Sequence, residues 1–72
     1  MRKAFIHNSF GYALLFEPLL ENGSSIHWRV SIVANGQKDW QKITVFKAKK
    51  RYSRKVLIED VLSHFKRFET IK

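Results

Sequence analysis

Seventy-two residues, 44% hydrophobic and 28% charged, suffice for one compact domain over 1–72. The absence of cysteine excludes a disulfide framework and any thiolate metal site, and a chain of this size buries only about 60% of its unfolded surface, so a single core must hold it. Fourteen Lys and Arg against six Asp and Glu leave +8, an excess that points to an anionic partner.

Met1-Arg2-Lys3 opens like the basic start of a signal peptide, but His7, Asn8 and Ser9 interrupt the apolar run that must follow. The apolar stretch 10–20 carries Glu17 and Pro18 and, at 11 residues, falls short of the roughly 18–20 a membrane helix needs. The expectation is therefore a soluble, cytoplasmic protein with no membrane partner, and the lack of cysteine fits a reducing compartment. Residues 1–8, with Phe5 and Ile6, read either as a short extra strand or as a packed arm.

Phe10, Tyr12, Leu14 and Phe16 alternate, predicting a first strand near 10–20, in which Pro18 marks an edge because it has no N–H to donate. In 26–34 every even position is apolar, while His27, Arg29 and Ser31 take the other face. This predicts a half-buried strand near 25–34. A three-residue loop over Asn22 to Ser24 sets Phe16 opposite Val30, Leu14 opposite Ile32, Leu20 opposite Ile26, and Glu17 opposite Arg29 on the outer face. Asn35-Gly36 then signals a tight turn, and Ile43 and Val45 predict a third strand near 39–47 that turns both to the core face. In that phase Trp40 lies outside, unless a bulge near Gln41 rotates it inward.

After residue 53 the period changes. Leu57, Ile58, Val61, Leu62, Phe65 and Phe68 recur at three- and four-residue steps, predicting an amphipathic helix near 54–69 with Ser53 as its N-cap. The fold expected is α+β: a three-stranded antiparallel sheet, with a short fourth N-terminal strand as an option, packed against one C-terminal helix. The rival, α-β-β-α with a helix over 9–21, is disfavoured by Pro18 and by the alternation.

Charge is uneven. Residues 1–37 carry three bases and two acids, whereas 38–72 carry eleven bases and four acids. Lys47, Lys49, Lys50, Arg51, Arg54 and Lys55 fall within nine residues with no acid among them. Clustered cations bind phosphate backbones through counterion release, and the outer sheet face would extend the cluster through His27, Arg29, Lys42 and Thr44. Trp40 and Phe46, read as outward-facing, would supply aromatic contact to a base or sugar. Arg54 and Lys55 sit in the first helical turn, where they oppose the helix dipole unless an anion docks beside Ser53. Trp28 and Phe65 are in phase with the core.

The strand-strand-strand-helix order is similar to that of small DNA-binding modules that lay a three-stranded sheet in the major groove. Residues 26–68 resemble the second half of a double-stranded-RNA-binding domain. That family's final helix is usually alanine-rich, whereas 56–68 contains no alanine, and no residue role is carried over.

The reading is a non-catalytic nucleic-acid-binding protein, DNA before RNA, without cofactor or metal. His7, His27 and His64 have no paired spacing, and Glu59-Asp60 are about 100° apart on the helix. One alternative is a protein-binding accessory or inhibitor of a phage or mobile element, acting through an aromatic patch or a sheet edge, with homodimerisation by edge pairing. The other is a metal-independent ribonuclease using His27, Arg29, Tyr52 and His64.

Overall fold

Alternating apolar residues need one covered face, and the computed structural model, which describes residues 3–64, provides it with an antiparallel sheet and one helix. Strands β1 (Phe5–Asn8), β2 (Tyr12–Asn22), β3 (Ser25–Ala34) and β4 (Gln41–Lys49) lie in that order across the sheet, and α1 (Arg54–His64) follows. The protein is an α+β fold, with the N-terminal segment forming the fourth strand rather than an arm. Residues 65–69 of the expected helix, including Phe65 and Phe68, lie outside the described residues.

One face of the sheet carries Phe5, Leu14, Phe16, Ile26, Trp28, Val30 and Ala48, all buried with Leu57 and Val61 of the helix. Phe5 stacks on Phe16 with ring centroids 4.7 Å apart, and both meet Trp28 edge-on at 5.6 and 6.3 Å. Such arrangements add about 0.5–1.5 kcal/mol per pair beyond area burial. Ser53 caps the helix: its Oγ accepts the Val56 N–H at 3.3 Å and its carbonyl accepts the Leu57 N–H at 2.9 Å.

The centre of the β2–β3 pair has the expected register, with Phe16 opposite Val30, Leu14 opposite Ile32 and Glu17 opposite Arg29. The turn end differs. The register shifts between Pro18 and Leu20, so Leu20 faces His27 rather than Ile26, and the strands close at Asn22 and Ser25. Leu19 and Leu20 are consequently exposed. The bulge removes one residue from the connection, leaving a two-residue Gly23-Ser24 turn in which glycine alone takes positive φ, as a type II′ turn requires. It also falls beside Pro18, which has no ladder hydrogen bond to lose.

Two other expectations change. Phe10 is not in the strand but fully exposed in the β1–β2 turn, where Gly11 adopts φ +96° and the Ser9 N–H bonds the Tyr12 carbonyl at 2.9 Å. In β4 the register shifts between Val30 and Ser31, which face Thr44 and Lys42, leaving Ile43 as the extra residue. Ile43 packs against the core as expected, but Thr44, Phe46 and Ala48 take the core phase and Val45 is exposed beside Arg29. Trp40 precedes the strand, in the connection between β3 and β4, and is 39% exposed.

Phe16→Ala should cost about 3–5 kcal/mol in urea unfolding, because a fully buried ring leaves a cavity that the stacked neighbours cannot fill. Phe10→Ser, which removes an exposed ring from a turn, should change stability by less than about 0.5 kcal/mol.

Candidate nucleic-acid interface

Among the described residues the helix covers only one side of the sheet, so the odd positions of β3 and their partners lie on the opposite, open face, exposed at Arg29 and half-buried at His27 and Ser25, with Ser31 buried at its centre. Across it Glu17, Arg29 and Val45 make one row, Leu20, His27 and Lys47 a second, and Asn22, Ser25 and Lys49 a third. Lys42 lies further along β4, opposite Ser31. The basic side chains therefore concentrate on the β3–β4 half of this face and at the turn that leaves it.

That turn is fixed by main-chain bonds. The Lys50 N–H bonds the Ser24 carbonyl at 2.9 Å, tying it to the β2–β3 turn, and the Tyr52 N–H bonds the Lys49 carbonyl at 3.1 Å. Ser24, Lys49, Lys50 and Arg51 line a shallow depression between the two turns. Lys47, Lys49 and Arg51 are exposed, and none makes an ion pair with another described residue. Two neighbouring cations are partly compensated: Arg29 lies 3.7 Å from Glu17, and Lys50 lies 3.3 Å from Glu21. Both pairs are substantially exposed, which limits each to about 0–1 kcal/mol.

The nine-residue basic segment is thus divided between two sides of the sheet. Lys47 and Lys49 belong to the open face, and Arg51 to the turn. Arg54 lies on the helix side, its guanidinium carbon 4.8 Å from the Phe5 ring centroid. Lys55 is exposed on the first helical turn. Arg29 and Lys42 are not cross-strand neighbours, since Arg29 faces Val45 and Lys42 faces Ser31.

The expected aromatic contacts are also redistributed. Phe46 does not face outward: it is opposite Trp28, half-buried against the core, with His64 edge-on at 5.3 Å. The half-turn of error comes from the bulge at Ile43, which reverses the phase of every residue after it. Thr44 leaves the open face for the same reason. Trp40 remains exposed but sits in the connection, outside the basic rows.

His27 is half-buried, and its buried Nδ1 has no hydrogen-bond partner among the described residues. His27 and Arg29 are on the open face, Tyr52 lines a cleft on the helix side, and His64 packs on Phe46. The four residues of the ribonuclease reading do not converge. Among the described residues no three His, Asp or Glu side chains are grouped to hold a metal, and no helix is long and apolar enough to cross a membrane.

Comparison of the chain with protein-family models, with curated proteins and with solved structures gave no match.

Lys49→Ala and Arg51→Ala should each leave unfolding in urea within about 0.5 kcal/mol of the parent. Lys50→Ala should cost up to about 1 kcal/mol at low salt, with the loss shrinking as salt is raised. In a double-mutant cycle with Glu21→Gln, the coupling energy should follow the same salt dependence.

Proposed function

We propose that this protein is a non-catalytic nucleic-acid-binding protein that grips the phosphate backbone with the basic half of its open sheet face. The observation that carries this reading is the placement of Lys47, Lys49 and Arg51: exposed, adjacent, and without a carboxylate partner among the described residues. Arg29 and His27 extend the surface onto β3, and Lys42 extends it along β4. Clustered cations free of local neutralisation release the counterions of a polyanion with little competition from the protein's own acids.

Duplex DNA is the preferred partner on grounds of shape. The major groove of B-DNA admits a two-stranded β-ribbon, whereas the A-form groove of duplex RNA is too narrow for side chains to read. The edge strand β4 carries Lys42, Lys47 and Lys49 on the uncovered face, which suits entry of that edge of the sheet into the first. Backbone contacts of this kind position a protein without selecting sequence.

A protein-binding accessory role, of the sort phages and mobile elements use, is the second reading. It is favoured by Ile6 and Leu20 on the same open face, 53% and 58% exposed. Lysines on β4 oppose edge-to-edge pairing of two copies, so an acidic partner suits this surface better than a homodimer.

Fluorescence anisotropy with a labelled short duplex, repeated over a salt series, separates the readings. Phosphate binding should weaken steeply with salt, and replacing Lys47, Lys49 and Arg51 with alanine should lower the slope by about 0.9 per lost contact. Glu17→Gln should tighten binding at low salt by releasing Arg29. Unchanged affinity and slope in the triple variant would refute the basic face as the contact and favour the protein partner.

A further inference from the structure

A second basic feature lies on the other side of the sheet, under the start of the helix. Here Lys3, Phe5, Trp28, Tyr52, Arg54 and Leu57 line a cleft of about 150 Å³. Among the described residues its lining holds two cations and no acid. Neither Lys3 nor Arg54 makes an ion pair with another described residue.

The walls are already ordered. Phe5 is held between Phe16 and Trp28, and Arg54 rests on the Phe5 ring at 4.8 Å, a cation–π contact that holds the guanidinium at the cleft. Trp28 and Leu57 are buried parts of the core, so the apolar wall cannot retreat from a ligand. Ordering that a ligand would otherwise have to impose is present beforehand. Lys3 and Arg54 share one cleft, and the first turn of the helix contains no acid beside them.

We propose that this cleft binds a single phosphomonoester group. Charge decides what binds, because the cleft opens to solvent and its volume sets no limit on the size of the molecule that carries the group. A phosphomonoester carries about −1.5 to −2 at neutral pH, matching the two cations, and offers three oxygens to their N–H groups. A backbone diester, with a single charge, leaves one cation uncompensated. The site stands independently of the open face, because it lies on the opposite side of the sheet.

The test uses the full chain with Trp40→Phe, so that Trp28, in the cleft wall, is the only indole. Inorganic phosphate should change its emission saturably, whereas chloride at equal ionic strength should not. Arg54→Gln and Lys3→Gln should each weaken phosphate about tenfold or more, as expected for loss of a charge-assisted hydrogen bond. Arg54→Lys should retain part of the affinity. Triple replacement of Lys47, Lys49 and Arg51 by alanine should leave phosphate affinity unchanged, which keeps failure of the open-face reading distinct from failure of this one.

End-phosphorylated and unphosphorylated oligonucleotides of one sequence identify the source of the group. Tighter binding of the phosphorylated form, abolished by Arg54→Gln, assigns it to a nucleic-acid end. Equal binding of the two, with inorganic phosphate still saturating, assigns it to a small phosphorylated molecule. The proposal is overturned if chloride reproduces the emission change. It is also overturned if Arg54→Gln, with a wild-type unfolding transition, binds phosphate as the parent does.

Discussion

The stack of Phe5, Phe16 and Trp28 decides which side of the sheet is the inside. Each ring comes from a different strand, so their contact fixes the β1–β2 and β2–β3 registers together, and Leu57 and Val61 of α1 close over the same face. With one helix to four strands, no second layer covers the other face among the described residues. This imbalance leaves the other face to carry Glu17, Arg29, Lys47 and Lys49 beside the exposed apolar Ile6, Leu20 and Val45.

The same constraint explains why a contiguous run of bases does not become a contiguous surface. Alternation sends Lys47 and Lys49 outward while Ala48 goes to the core, and the turn after β4 carries the chain from one side of the sheet to the other. Lys50 is drawn towards Glu21, and Arg54 onto Phe5. One basic segment is thereby divided between two sides of the sheet with different surroundings: a solvent-rimmed sheet face and an aromatic-walled cleft.

The periodic parts of the fold were legible in the residues. Even positions of 26–34 predicted β3 and its buried face, and the pairing of Phe16 with Val30 and Glu17 with Arg29 followed from matching faces. The helix was readable from Leu57, Ile58, Val61 and Leu62, and its start from Ser53. What escaped were the two bulges. A single extra residue at Leu19 or Ile43 leaves composition and propensity untouched, yet it inverts the side-chain phase beyond it. Hence the apolar pattern alone points Leu20 inward and Phe46 and Thr44 outward, opposite to their positions in the sheet. The exposed position of Phe10 was hidden for a related reason: Gly11 interrupts an apparently continuous alternation, and its positive φ is invisible in the apolar pattern. The charge asymmetry showed where the bases cluster in the chain but not how they divide between the two sides of the sheet, because that depends on Phe5, almost fifty residues away from Arg54 in the chain.

The central claim is that the uncovered β3–β4 face is where a nucleic acid lies. Amide chemical-shift mapping of the protein with an unlabelled DNA duplex at low salt tests it most directly, because it reports both faces of the sheet in one experiment. The account predicts the largest changes at His27, Arg29, Lys47, Lys49 and Arg51, reversing as salt is added, with Leu57 and Val61 little affected. Changes confined to the helix, or none at a salt concentration where phosphate contacts are strong, would contradict it.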